Sequence, residues 1–138
     1  MTIGFTRRLL LPVFASALIL GCGAPATAVA ASTTKTTRIA VSAGKPTEFA
    51  FKLSKQKVSL GKVIFAVTNR GAIPHTFKIC SSPKGGHANT CRGKGTKVLS
   101  PGKTAKLTYV FKKKGTYEYI CTIAGHAAAG MKGDLKVT

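Results

Sequence analysis

Short apolar runs that alternate with polar residues, separated by turn residues, are the feature that most constrains how this chain can fold. Residues 48–53, 106–111 and 117–121 alternate with a period of two, so every second side chain points to the same face. Residues 62–68 are apolar on both faces, which is typical of a central strand in a sandwich. Further strand candidates are residues 37–41, 57–60, 76–80, 97–99 and 134–137.

Glycine and proline punctuate these runs at short intervals, for example at Pro101-Gly102. The first run places Phe49, Phe51 and Leu53 on one face, which we expect to be buried. No window shows the apolar period of an amphipathic helix over a helical length. Short strands at this spacing predict an all-β sandwich or barrel.

The first thirty residues have the pattern of an export signal rather than of a folded element. Residues 1–8 carry two arginines and no acid, residues 9–20 are almost wholly apolar, and residues 21–31 are small. The apolar run is short for a membrane span. Ala28-Val29-Ala30 fits a cleavage site, so we expect cleavage after Ala30. The predicted organisation is a signal peptide at 1–30, a short linker at 31–36 and one domain at 37–138.

Two alternatives concern the same segment. Ile19-Leu20-Gly21-Cys22 resembles a lipoprotein box, in which Cys22 would carry the lipid, although Leu20 is large for its place in that pattern. Arg7-Arg8 loosely resembles a twin-arginine signal. Each of these interpretations predicts an exported protein, located in the periplasm, in the cell envelope or outside the cell, with a lipid anchor only in the first.

The charge balance excludes whole classes of function. The 138 residues include 22 Lys and Arg against 3 Asp and Glu, which gives a formal net charge of +19. Removal of residues 1–30 takes away two arginines and no acid, so the remaining 108 residues carry +17. The acids Glu48, Glu118 and Asp134 are widely spread in the sequence. Hydrolysis by a pair of carboxylates, as in glycosidases and aspartic proteases, is therefore excluded.

Candidate metal ligands are concentrated near the carboxyl end. Cys121, His126 and Met131 follow one another at intervals of five residues, in a segment between two predicted strands. A thiolate, an imidazole and a thioether suit copper, and a second imidazole would complete a blue-copper site. His75 is the better candidate because it follows the most apolar strand and Pro74 stiffens its approach. His87 lies in a glycine-rich loop.

Two motifs together resemble the cupredoxin family of blue-copper proteins. They are Asn-x-Gly-x-x-Pro-His at residues 69–75 and Tyr-x-Tyr-x-Cys-x4-His-x4-Met-x-Gly-x-Leu-x-Val at residues 117–137. The spacing is closest to that of rusticyanin-like members, and the resemblance covers roughly residues 35–138. It implies a Greek-key β-sandwich with one type 1 copper ion near one end. The implied copper ligands are His75, Cys121, His126 and Met131.

The resemblance also implies how the site would work. Asn69, Pro74, Thr76 and Thr122 would surround the ligands and tune the metal. No coordination position would remain open for a substrate, so we expect an electron carrier and not an enzyme. His126 would be the exposed ligand, surrounded by a flat apolar patch of small residues suited to brief docking. The alternative function is copper buffering or copper delivery outside the cytoplasm.

Two cysteines remain after the metal ligand and the signal segment are set aside. Cys80 and Cys91 bracket a short loop, and in an exported domain we expect them to form a disulfide. The alternative is a second metal site built from Cys80, His87 and Cys91, whose spacing matches no common zinc or iron–sulfur pattern.

The positive charge indicates the chemistry of the partners. Lysines are spread along the chain, with a run of three at residues 112–114. They would steer the protein toward a redox partner with an acidic docking surface, or toward an anionic envelope. We expect no nucleic acid, because basic and aromatic residues do not interleave. We expect a monomer.

Overall fold

Nine β-strands make up the secondary structure of the described residues. The computed structural model describes residues 35–86 and 91–138. No helix occurs in these two ranges. The strands are β1 (Thr37–Ala43), β2 (Phe51–Leu53), β3 (Lys57–Val58), β4 (Gly61–Asn69), β5 (Lys78–Cys80), β6 (Gly93–Gly95), β7 (Thr104–Phe111), β8 (Gly115–Ile120) and β9 (Lys132–Val137).

The strands form two sheets that pack face to face. One sheet has four strands in the order β2-β1-β4-β7, and the other has five in the order β3-β9-β8-β5-β6. Both are mixed, because β1 runs parallel to β4 and β3 runs parallel to β9. Aromatic rings join the sheets: the centroids of Phe111 on β7 and Tyr117 on β8 lie 4.7 Å apart. The predicted all-β sandwich is confirmed.

The core lies between the sheets and follows the period-two pattern. Val63, Phe65 and Val67 on β4 are fully buried, as the alternation of a strand requires. On the other face of β4, Ile64 is half-buried and Ala66 is exposed, although the strand is apolar on both faces. The strand is central in its sheet, but the outer face of a two-layer sandwich faces water.

Several predicted strands differ from the structure, and three of these differences lie near His75 and His126. The first run becomes a strand only at Phe51, because residues 47–50 form a turn closed by the Ala50 amide and the Thr47 carbonyl. Phe49 therefore leaves the predicted buried face and is 38% exposed. The strand expected at residues 76–80 begins at Lys78. In place of a strand at residues 97–99, Leu99 forms an isolated bridge with His75.

The disulfide between Cys80 and Cys91 is confirmed, and it links the end of β5 to the residues before β6. This pairing excludes the alternative in which both thiols hold a second metal ion. The predicted signal segment, Cys22 within it and His87 lie outside the described residues. Within residues 35–86 and 91–138, no helix is long and apolar enough to cross a bilayer.

Candidate metal centre

Three predicted ligand side chains converge at one end of the sandwich. His75 follows β4, Cys121 follows β8, and His126 lies in the connection from β8 to β9. The Nδ1 atoms of His75 and His126 are 3.3 Å apart, and His126 Nδ1 is 3.5 Å from Cys121 Sγ. All three ligand atoms lie within 4.8 Å of one another. His75 and His126 are 51 positions apart in sequence, and they meet because β5 pairs antiparallel with β8, with Lys78 opposite Ile120, so that the residues before β5 lie beside those after β8.

The segment of residues 69–75, here called the proline loop, is organised by Asn69. This side chain is fully buried, and its Nδ2 donates to the carbonyl oxygens of Ile73 and Leu99, both at 2.8 Å. Its Oδ1 accepts from the Gly71 amide at 2.9 Å. Because a buried amide without partners is costly, this saturated set of bonds favours one loop conformation. His75 and Leu99 add a reciprocal pair of backbone bonds at 3.0 and 2.8 Å.

Glu48 also belongs to the site, although neither its residue type nor its place in the sequence predicts this. Its Oε1 lies 2.8 Å from Nε2 of His75, whose side chain is fully buried. The carboxylate also accepts from the amides of Ala72 at 3.0 Å and Ile73 at 3.2 Å. The Ala72 amide and then His75 hold the pKa of Glu48 below its usual value. No sequence signal joins Glu48 to His75, because they are 27 residues apart and Glu48 lies in a turn.

Cys121 is buried at the end of β8 and faces Thr76. The Thr76 amide donates toward Sγ at 3.4 Å, and Thr76 Oγ1 lies 3.6 Å from Sγ. Thr76 Oγ1 accepts from the Thr122 amide at 2.7 Å and is 2.8 Å from Thr122 Oγ1. Both threonines predicted to surround the ligands are therefore in contact with each other, and Thr76 contacts the sulfur. Cys121 is the free cysteine of the described part of the chain.

Residues 121–131, here called the ligand loop, are held mainly by their own backbone. The Met131 amide donates to the His126 carbonyl at 2.9 Å, and the Cys121 amide donates to the Met131 carbonyl at 3.0 Å. Gly125 has a φ of 82°, a conformation that side chains with a Cβ rarely adopt. Met131 is fully buried and packs with Ala43 and Cys121. The thioether therefore shares a buried cluster with the thiol.

His126 is half-buried and borders an exposed surface. Its ring centroid lies 5.1 Å from that of Phe49 in an edge-on arrangement. Burial and the nearby His75 lower the pKa of His126, which favours the neutral imidazole that a metal requires. The exposed alanines and glycines of the ligand loop are Ala124, Gly125, Ala128, Ala129 and Gly130.

The donor set fits copper. A buried thiol and two imidazole Nδ1 atoms converge within 4.8 Å, and a thioether is buried in the same cluster as the thiol. Soft sulfur with imidazole nitrogen is the combination that selects copper over hard cations. The hydrogen bonds at Cys121 and the bond to His75 are those expected around metal ligands. Pro74, which was predicted to lie beside the ligands, directly precedes His75 in the proline loop and is exposed.

The sandwich and its sulfur–imidazole cluster define a β-sandwich metalloprotein with the cupredoxin fold. The chain belongs to the plastocyanin/azurin family of copper binding proteins, whose sequence profile matches residues 37–138. Copper is therefore the cofactor, and the resemblance stated from the two motifs is confirmed.

Several curated relatives match part of the chain. Auracyanin-B of Chloroflexus aurantiacus is 49% identical over 43 residues, which are 31% of this chain and 18% of that protein. The multicopper oxidase mco of Staphylococcus aureus is 41% identical over 63 residues, 45% of this chain and 14% of the oxidase. The copper-resistant cuproprotein CopI of Vibrio cholerae is 37% identical over 78 residues, 50% of this chain and 46% of CopI. The chain thus spans less than half the length of each.

A solved structure agrees with the fold. Rusticyanin from Thiobacillus ferrooxidans superposes with a TM-score of 0.54 at 28% identity, covering 75% of this chain and 78% of rusticyanin. The two proteins therefore share the sandwich over most of both chains.

Proposed function

We propose that His75, Cys121, His126 and Met131 bind one type 1 copper ion and that the protein transfers single electrons. The observation that carries the proposal is the convergence of two imidazole Nδ1 atoms and one buried thiol within 4.8 Å. Copper bound there would supply a one-electron Cu(II)/Cu(I) couple. The family membership and the similarity to rusticyanin support this assignment.

The chain's own residues favour electron transfer over catalysis because they hold the ligands in place. His75 is fixed by Glu48 and by its backbone bonds to Leu99, and Cys121 is buried against Thr76. Ligands that cannot rearrange give a site whose geometry changes little with oxidation state, as fast electron transfer requires. Four ligands would leave no position for a substrate, so we propose a carrier and not an enzyme.

Electrons would pass through the exposed edge of His126. The surrounding surface is formed by small residues of the ligand loop and by Phe49, which is 38% exposed. An apolar patch of this kind supports brief contacts, because it offers contact area without charge pairs that must be broken on release.

The partner would carry an acidic docking surface. Of the three acids in the sequence, Glu118 is buried, Glu48 is bonded to His75, and only Asp134 is exposed. The accessible surface is therefore dominated by lysines, which favour rapid encounter with an acidic protein or an anionic envelope. We propose that residues 1–30 direct export, so that this encounter takes place outside the cytoplasm.

Copper buffering or delivery is the second candidate. It is favoured by the match to the copper-resistant cuproprotein CopI, which covers half of this chain. Buffering needs exchangeable copper, whereas a carrier keeps its ion through many redox cycles. The sequence contains two methionines, Met1 and Met131, and so is not methionine-rich.

Spectroscopy and voltammetry of the copper-loaded domain test the proposal. We expect an intense blue thiolate-to-copper band and a reversible one-electron wave, both lost in Cys121→Ser. Met131→Leu serves as the matched variant: the colour should persist while the potential rises, because a weak axial ligand is removed. A colourless protein with readily exchanged copper would contradict electron transfer and support buffering.

A further inference from the structure

We propose that Glu48 is a positioning residue for the copper site, which selects the ring tautomer of His75 and lowers the reduction potential of the bound copper. This inference rests on the proposed function, because it concerns the same site. Glu48 is separated from every predicted ligand in sequence, and neither motif includes it.

The carboxylate is built into the proline loop by a complete set of bonds. Oε1 accepts from the Ile73 amide at 3.2 Å and lies 2.8 Å from His75 Nε2, while Oε2 accepts from the Ala72 amide at 3.0 Å. The two backbone donors fix the carboxylate on the loop that ends in His75. A freely rotating surface acid would not be held in this way.

The bond to Nε2 determines which nitrogen of His75 is available to a metal. A carboxylate can only accept, so Nε2 of His75 carries the proton. Nδ1 then carries the lone pair, and this is the atom that lies 3.3 Å from His126 Nδ1 in the converging donor set. The hydrogen bond made by one ring nitrogen thus sets the ligating role of the other.

The charge of Glu48 acts on the metal through the same contact. The imidazole is fully buried, and the carboxylate touches its outer nitrogen. A negative charge there stabilises the more positive oxidation state, Cu(II), relative to Cu(I). The reduction potential is therefore lower than it would be with a neutral group in the same place.

Gly71 leaves the space that this contact needs. A Cβ on Gly71 would meet the Glu48 side chain and would lie 2.9 Å from His75 Nε2. Any residue with a side chain at position 71 would push Glu48 away from the histidine. The glycine of the Asn-x-Gly motif is thereby explained by the carboxylate it accommodates.

Voltammetry of Glu48→Gln tests the effect of the charge. Glutamine has nearly the same shape and keeps an oxygen for His75, so it removes the charge with the least change in structure. We expect the ratio of Cu(I) to Cu(II) affinity to rise at least tenfold. For a one-electron couple, a tenfold rise is a positive shift of about 59 mV in the reduction potential. Asp134→Asn is the matched control, because it removes the other unburied carboxylate, on β9. We expect it to shift the ratio by less than threefold.

Nitrogen-15 NMR of the metal-free protein tests positioning independently of copper. In the wild type we expect His75 in the Nε2-protonated tautomer, and in Glu48→Ala a mixture of both tautomers. A shift of the reduction potential in Glu48→Gln no larger than that in Asp134→Asn would overturn the inference. An unchanged His75 tautomer in Glu48→Ala would overturn it as well. If the wild type shows no blue band, the proposed function itself fails; a blue wild type with these results refutes only the role of Glu48.

Discussion

The proline loop and the ligand loop supply the two histidines of one site by opposite structural means. The proline loop is fixed by buried or bonded side chains, Asn69 and Glu48, and it hides His75 completely. The ligand loop is held by backbone turns, exposes small residues and leaves His126 half-accessible. Under the proposed function, this difference separates two tasks: the proline loop would fix the geometry of the metal, and the ligand loop would meet the partner.

Substitutions should therefore have unequal effects in the two loops. Removal of a polar side chain from the proline loop would leave its buried partners without hydrogen bonds, which lowers the free energy of unfolding. Exposed positions in the ligand loop can change at little cost to stability.

Asn69→Ala should cause the largest loss of stability. It removes two bonds to the Ile73 and Leu99 carbonyls and one from the Gly71 amide, in a fully buried place. We expect the metal-free protein to lose about 3 kcal/mol, measured by denaturant unfolding. Asn69→Asp is the companion variant, because it keeps the acceptor for Gly71 and loses the two donated bonds. A loss below about 0.5 kcal/mol in Asn69→Ala would refute the assigned role of this side chain.

Thr76→Val should have an intermediate effect, because Thr76 joins the two loops. The change keeps the shape but removes Oγ1, which accepts from the Thr122 amide at 2.7 Å. We expect a loss of about 1.5 kcal/mol, since that amide is only partly buried. Thr122→Val is the control: it keeps the amide bond to Thr76, and we expect less than about 0.5 kcal/mol. Equal losses of stability in the two variants would show that the contact between the two threonine hydroxyl groups, and not the bond from the Thr122 amide, stabilises the protein.

Gly125→Ala should cost about 1 kcal/mol through backbone strain alone. Its φ is 82°, and a new Cβ would meet nothing within 4 Å. Gly102, with a φ of 76° and equally open space, is a matched position outside the ligand loop. Calorimetry should show similar losses for Gly125→Ala and Gly102→Ala. The blue band should change only in Gly125→Ala, and a change in both would contradict a local effect on His126.

Ala128→Lys should leave stability within about 0.5 kcal/mol and still impair function. The side chain would place bulk and charge on the exposed surface beside His126. We expect electron self-exchange, measured by NMR line broadening, to slow roughly tenfold, equivalent to about 1.4 kcal/mol. Ala66→Lys adds the same charge on the outer face of β4. Equal slowing in both variants would mean that total charge, not docking beside His126, limits the exchange.

Much of the site could be predicted from the sequence because its chemistry is local. Cys121, His126 and Met131 lie in one segment, and His75 follows the most apolar strand and is preceded by Pro74. The disulfide followed from counting cysteines in a chain predicted to be exported. These features depend on residue type and spacing, which a sequence displays directly.

Features that depend on how distant segments meet could not be predicted in this way. Glu48 reaches His75 from a turn 27 residues earlier, and an isolated glutamate gives no signal of its partner. Hydropathy alone could not show that Ile64 and Ala66 face water, because the layer covering a sheet is a property of the whole fold. The same reason applies to Leu99, whose pairing with His75 replaces a predicted strand.

A crystal structure of the copper-loaded protein would test the central claim most directly. We predict one copper ion bound by Nδ1 of His75, Nδ1 of His126 and Sγ of Cys121, with the Met131 thioether at a longer axial distance. The described hydrogen bonds around the site should be retained. Copper coordinated through Nε2 of either histidine, or bound away from Cys121, would contradict the account.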